Sequence, residues 1–255
     1  MESRCAGRAP ARVADAAPRR DARDGACARS GGVSRAWFVT GTDTGVGKTF
    51  AAVALLHALR ARGARAVGMK PVASGCEATP QGWRNDDALA LLAASDPAPA
   101  YAQANPYALP AATAPQLAAR DAGVTVALAP LLSAYAQLAA TADAVVVEGV
   151  GGWAAPLADG FDQAELARAL DADVVLVVGL RLGCLSHARL TARAIAADGC
   201  RLVGWIGNRV DPAFDRADDY LGLLRDALPA PCLGVLPHAP GGDGGGAMEG
   251  LALPG

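Results

Sequence analysis

From Ala36 onward the chain alternates short runs of β-branched and aromatic residues with longer stretches whose apolar positions recur at helical spacing. "AWFVT" (36–40), "RAVGM" (65–69), "AVVVE" (144–148), "DVVLVV" (173–178), "LVGWIG" (202–207) and "CLGVL" (232–236) are short, rich in Val and apolar on both faces. Strands buried between helix layers have this character. Between them the pattern predicts helices over 48–61, 86–94, 126–140, 162–170, 186–198 and 213–227. Alternation of strand and helix implies right-handed βαβ units, so the expected class is α/β, a mostly parallel sheet flanked by helices. Such a sheet binds its ligands at the carboxyl ends of its strands. Chemistry is therefore expected just after Thr40, Met69, Glu148, Val178 and Gly207.

Residues 1–34 break the pattern. They are rich in Ala, Arg, Asp and Gly with hardly any large apolar side chain, and are expected to form a disordered extension. They lack the apolar stretch of a signal peptide. The domain proper is expected over 35–240, followed by a flexible tail over 241–255 that opens on a glycine run. Within 255 residues, 52% are hydrophobic and 19% charged, which suits a packed globular domain. A net charge of -2 argues for neither nucleic acid nor an anionic membrane as partner. No apolar run reaches the roughly 20 residues that a membrane span needs. Six scattered cysteines without a C-x-x-C pair favour reduced thiols and a cytoplasmic location.

The stretch "WFVTGTDTGVGKTFAAVALL" (37–56) reads as strand, glycine-rich turn, helix. A helix amino terminus leaves about four N–H groups unpaired, and its dipole favours an anion. Gly45 and Gly47 let the backbone approach a phosphate, Lys48 can reach the terminal phosphates, and the Thr49 hydroxyl suits Mg²⁺. The match to G-x-x-x-x-G-K-[ST] is imperfect, because Thr42 stands at the first glycine position and Gly41 one residue earlier. The competing reading is an ordinary glycine turn, but the flanking strand and helix are the context a phosphate loop requires. The fold expectation is therefore P-loop NTPase-like.

Other strand ends carry candidates of the same kind. Lys70 follows the second strand in "GMKPVASG", with Pro71 rigidifying the exit and Ser74 in a polar turn. By itself it also reads as a surface lysine. "RNDDALALLA" (84–93) opens a helix with two acids; Asn85 or Asp86 can cap it, or one acid can bind magnesium, and spacing leaves both open. Glu148 ends a buried strand in "VVVEGVGGW", well placed to hold Mg²⁺ or its water. Gly183 and Ser186 lie at a helix start, where they can cap it or receive a carboxylate on free N–H groups. Asn208 can read adenine through its amide or serve as a turn residue. His57, His187 and His238 lack the spacing of a metal site or triad.

Taken together, "FVTGTDTGVGKT", "KPVASG", "RNDDALAL", "NPYAL", "VEGVGGWAAPL", "LVVGLRLGCLSHARLTARAI" and "GWIGNRV" resemble the dethiobiotin synthetases of biotin biosynthesis, from about residue 36 to about residue 238. The resemblance implies a P-loop ligase that converts 7,8-diaminononanoate, CO2 and ATP to dethiobiotin, ADP and phosphate, through a carbamate and a carbamic-phosphoric mixed anhydride. It implies that Lys70, Lys48 and Thr44 act at the reacting centre. Thr49, Asp87 and Glu148 would hold Mg²⁺. Ser74 and, from a partner subunit, Gly183, Cys184, Leu185 and Ser186 would receive the diamino acid. Gly45, Val46, Gly47, Lys48, Thr49, Phe50, Asp87, Glu148, Gly149, Val150, Gly151, Asn208, Arg209, Pro237, His238 and Ala239 would surround the nucleotide. A cytoplasmic homodimer is implied as well. The chain departs from the family at Gly45, where relatives often carry Glu.

The main rival is a switch ATPase of the partition or cell-division-positioning kind, which shares the Lys48–Thr49 end of the loop. It would often carry a second lysine early in the loop, where this chain reads "GTDT" (41–44). A basic DNA face and a carboxyl-terminal membrane helix are also missing from the pattern.

Overall fold

A computed structural model describes residues 34–238 and 251–253. The extension expected over 1–34 lies, apart from Ser34, outside the described residues, as do Ala239 and the glycine run. The strands are β1 (Arg35–Gly41), β2 (Ala66–Met69), β3 (Ala144–Glu148), β4 (Asp173–Gly179), β5 (Arg201–Asn208) and β6 (Cys232–Leu236). They form one sheet in the order β6-β5-β4-β1-β3-β2, every neighbouring pair parallel.

The period-two alternation of strand side chains distributes the core over both faces. Trp37, Val39, Val146, Val175 and Val177 turn to one side. There they meet Leu55, Leu56 and Leu91 from α1 (Lys48–Ala61) and α2 (Asp86–Ala94). Phe38, Val67, Val145, Val147 and Val174 turn to the other. Leu131 and Leu138 of α3 (Leu128–Ala139) and Leu166 of α4 (Gln163–Ala169) cover them. A third cluster joins Leu176, Val178 and Trp205 to Ala188 and Ala192 of α5 (Cys184–Ala197) and to Leu221 and Leu224 of α6 (Ala217–Ala227). At the amino ends of the strands, buried Asp173 accepts hydrogen bonds from Arg35 at 2.7 Å and Arg201 at 2.6 Å. This clamps β1, β4 and β5 at the edge opposite the phosphate loop.

Three pairings fall outside the alternating pattern. Val72–Ser74 pairs with Tyr107–Leu109, Glu77–Thr79 with Gly82–Arg84, and Pro156–Ala158 with Phe161–Asp162. Two short helices, Tyr101–Ala104 and Pro115–Asp121, precede α3. Part of the tail expected to be flexible is packed instead. The Ala252 N–H donates to the Leu233 carbonyl at 2.7 Å, and Leu251 and Leu253 lie against the core beside β6.

Candidate active site

The sheet order decides what meets at the carboxyl edge. β3 sits between β1 and β2, with Glu148 beside Val39 and Val147 beside Met69. Glu148, the residue after Met69 and the loop after Gly41 are therefore neighbours in space. Lys70 follows β2 directly and turns inward, 4% exposed, to place its ammonium 2.6 Å from Glu148 Oε1 and 2.9 Å from Asp87 Oδ2. Its backbone is pinned on both sides. The Lys70 N–H donates to the Ala104 carbonyl at 2.7 Å, and the buried Asn105 amide donates to the Lys70 carbonyl at 2.7 Å. Asn105 is in turn held by the Tyr101 hydroxyl at 2.9 Å, which also accepts the Asn85 N–H.

The start of α2 divides the work between Asn85 and Asp87. Asn85 is the cap, its side chain accepting the Ala88 N–H at 3.2 Å. That frees Asp87 to face α1, where the Thr49 hydroxyl lies 2.7 Å from Asp87 Oδ1 and 2.9 Å from Glu148 Oε1. The second Glu148 oxygen is buried without a hydrogen-bond partner. An orphaned carboxylate oxygen beside a hydroxyl and a second carboxylate is a donor set for a hard cation that keeps part of its water shell. Among the described residues no three His, Cys, Asp or Glu side chains come together as a metal cluster.

The phosphate loop is shaped by its glycines. Gly47 caps α1 at φ 85° with no side-chain cap, and a Cβ there would lie 2.1 Å from Asn208 Nδ2. Asn208 itself donates to the Val46 carbonyl at 3.0 Å, so it braces the loop from β5. Gly45, the departure noted above, has φ 74° and open space where a Cβ would be. The backbone there strains any L side chain, although nothing blocks one. Lys48 hydrogen-bonds the Asp43 carbonyl at 3.0 Å. Burial, helped by the Lys70 charge, lowers its pKa to about 8. Burial works against the Lys70 ammonium too, but Glu148 and Asp87 outweigh it and hold its pKa above the ordinary lysine value.

These groups line a cleft of about 370 Å³ that Thr44, Ser74, Val150 and Gly151 also border. Gly183, Leu185 and Ser186 do not share it. They line a separate depression with Leu182, Arg189, Leu190, Arg193 and Tyr220. Of the two roles open to the start of α5, side-chain capping is absent. Gly183 takes a left-handed cap conformation without a side-chain bond, which is why α5 starts at Cys184 and not at Ser186. The Cys184 N–H is spent on the Arg181 carbonyl at 3.1 Å, and its side chain is buried. Arg209 and His238 are joined by a 3.0 Å contact between His238 Nδ1 and the Arg209 carbonyl. Pro237 lies between them and β6, while Phe50 packs against the α1 side of the core.

Three residues at the site, Gln163, Asn105 and Asp43, have no role assigned to them by the sequence pattern. Gln163 is buried at the start of α4. Its amide accepts the Val150 N–H at 2.8 Å and donates to the Val150 and Gly152 carbonyls at 2.7 Å each, clasping the glycine loop after β3. Asn105 pins Lys70 as described. Asp43 accepts the Thr44 N–H at 2.7 Å and the Arg181 guanidinium at 2.6 Å, tying the phosphate loop to the loop before α5.

Residues 35–243 match a family model described as an AAA domain. The ATP-dependent dethiobiotin synthetase BioD of Xanthomonas euvesicatoria pv. vesicatoria is 65% identical over 219 residues, covering 86% of this chain and 98% of that one. The protein of the same name from Xylella fastidiosa is 66% identical over 207 residues, covering 81% and 92%. Solved structures with the same fold include a ParA family ATPase from Chlorobium tepidum TLS, with a TM-score of 0.53 and 13% identity over 86% of this chain and 91% of that one. Another is the MinC:MinD cell division complex of Aquifex aeolicus, at 0.51 and 16% over 81% and 82%. At that identity they speak for the P-loop fold alone.

Proposed function

This chain belongs to the dethiobiotin synthetase family, and we propose that the cleft between β1, β3 and β2 is where it performs that family's reaction. The protein is an ATP-dependent ligase that makes dethiobiotin. In the proposed sequence an amine of 7,8-diaminononanoate adds to CO2 and loses a proton, giving a carbamate. A carbamate oxygen attacks the γ-phosphorus of ATP and ADP leaves. The second amine then attacks the carbamoyl carbon of the mixed anhydride, and phosphate departs as the cyclic urea closes.

The residues suit the charge problem this path sets, an anion attacking an anion. Lys48 and the loop N–H groups neutralise the terminal phosphates. Lys70 faces the transferred group and the carbamate, with Thr44 and Ser74 at the substrate side of the same cleft. Thr49, Asp87 and Glu148 would hold Mg²⁺, which would help to neutralise the triphosphate's charge. Asn208, whose amide nitrogen donates to the Val46 carbonyl, would border the base together with Arg209, Pro237 and His238; Ala239 lies outside the described residues. A cytoplasmic homodimer completes the reading, with Gly183, Leu185 and Ser186 offered to the partner's substrate carboxylate; Cys184, whose N–H is taken by the Arg181 carbonyl, holds that helix start in place. The switch-ATPase alternative is disfavoured by the loop "GTDT", which lacks the early lysine.

The observation that carries the proposal is the meeting of Lys70 and Glu148 at 2.6 Å, directly beside Thr49 of the phosphate loop. The test is turnover with 7,8-diaminononanoate, bicarbonate, ATP and Mg²⁺. Dethiobiotin and phosphate should form one for one, and ATP hydrolysis without the diamino acid should be slow. Lys70→Gln should cut synthesis by roughly 10²–10³-fold while calorimetric ATP affinity stays within a few-fold. Undiminished synthesis by that variant would remove Lys70 from the reacting centre.

A further inference from the structure

We propose that Lys70 also competes with a divalent cation for Glu148 and Asp87, so that metal loading and the release of Lys70 toward the substrates are one event. The inference rests on the functional reading above for the identity of the ligands, and on geometry for the rest. Glu148 Oε1 accepts from both Lys70 and Thr49, and Asp87 likewise receives Lys70 on one oxygen and Thr49 on the other. The carboxylates assigned to the cation are thus already engaged by an ammonium. Two lysines and two carboxylates balance to zero, so a divalent ion enters a neutral cluster and faces the Lys70 charge at close range. Lys70 cannot retreat by moving its backbone, which Ala104 and Asn105 hold at 2.7 Å on either side. Its four-carbon stem can swing. The cleft bordered by Ser74 and Val150 is the open side, and it is where the reading above puts the carbamate.

Lys48 supplies the control. It carries the same charge in the same cleft but is bonded to the Asp43 carbonyl, not to the carboxylates. If Lys70 acts by occupation, removing it should matter far more than removing Lys48.

The experiment is Mn²⁺ titration of the nucleotide-free full chain, read by electron paramagnetic resonance of free Mn²⁺ and involving no turnover. Lys70→Met and Lys70→Gln should each tighten Mn²⁺ binding at least about tenfold over the unaltered protein, whereas Lys48→Met should change it by no more than about threefold. Glu148→Gln should weaken binding in either background. Circular dichroism identifies which variants fold, and the two Lys70 replacements differ enough in polarity that one failing leaves the other to decide. Equal affinity in the Lys70 variants and the unaltered protein, equal effects of the Lys70 and Lys48 replacements, or no Mn²⁺ binding by any form each overturns the proposal. The functional reading fails on a different result, the absence of dethiobiotin from the unaltered enzyme.

Discussion

Lys48 shows how a single side chain turns burial into a pH dependence. Its pKa is lowered to about 8, first by burial and then by Lys70. Bound phosphates favour the charged form and raise it again. Below pH 8 the lysine is charged before and after binding, and ATP affinity is insensitive to this group. Above pH 8 the empty enzyme has lost the proton and must regain it on binding. ATP affinity should therefore fall with rising pH by up to about tenfold per unit, with proton uptake on binding. Calorimetry at pH 9 in buffers of different ionisation enthalpy checks this, and an affinity flat from pH 7 to 9.5 contradicts it. Lys48, Lys70 and Glu148 were legible in the sequence because each ends a valine-rich strand or a glycine turn, where the topology delivers side chains to one edge. Gln163 was not. A glutamine at the start of a helix reads as surface, and its value lies in a glycine loop that reaches it only in the fold. Gln163→Leu leaves one half-buried N–H and two carbonyls without their side-chain partner, a cost of about 2–4 kcal/mol. The melting temperature should drop by several degrees, and the KM for the diamino acid should rise more than that for ATP. Unchanged melting and kinetics in this variant would mean that water replaces the amide.

Elements meet at this site through their loops, and Asp43 is one such junction. It joins the β1–α1 loop to the β4–α5 loop through Arg181, an ion pair with both side chains about half exposed. Exposed pairs contribute about 0.2–1 kcal/mol, so Arg181→Ala should raise the KM for ATP about two- to fivefold and leave kcat nearly intact. Arg181→Lys should recover much of the loss, and an unchanged KM in Arg181→Ala would reduce the pair to surface decoration. Helix bounds at α1 and α2 follow the sequence because Gly47 and Asn85 are strong local signals. The starts of α5 and α6 depart from the sequence expectation, where the local signal is weaker. α6 begins at Ala217, not 213, because Asp211 draws the Ala213 N–H into a turn at 2.9 Å. Three-residue strands such as Val72–Ser74 hold too few positions for any periodicity to register.

At the scale of the molecule, alternation along the chain announced a parallel sheet but not its order. That order is set by which valine-rich strands pack where, and it alone inserts Glu148 between the phosphate loop and Lys70. The same scale raises the question of what holds the far end of the substrate. Within one chain the segment 183–186 lies in a depression apart from the Lys70 cleft. Around that depression Leu182 is 80% exposed and Leu190 59%, with Arg189 and Arg193 beside them. Bulky apolar side chains beside basic ones suit a subunit interface that also receives a carboxylate. In the proposed dimer this depression would lie against the partner's cleft, so that one chain's helix start would reach the other's substrate. Leu190→Arg puts a like charge among Arg189 and Arg193 and should shift the protein from dimer to monomer in sedimentation velocity at micromolar concentration. The KM for the diamino acid should rise at least about tenfold, since the carboxylate loses its receptor, while ATP affinity, which depends on one chain's phosphate loop, stays within about twofold. If the unaltered protein sediments as a monomer and still turns over with full affinity for the diamino acid, the carboxylate must be held within a single chain. Ser74 would then be the first residue to test for that task.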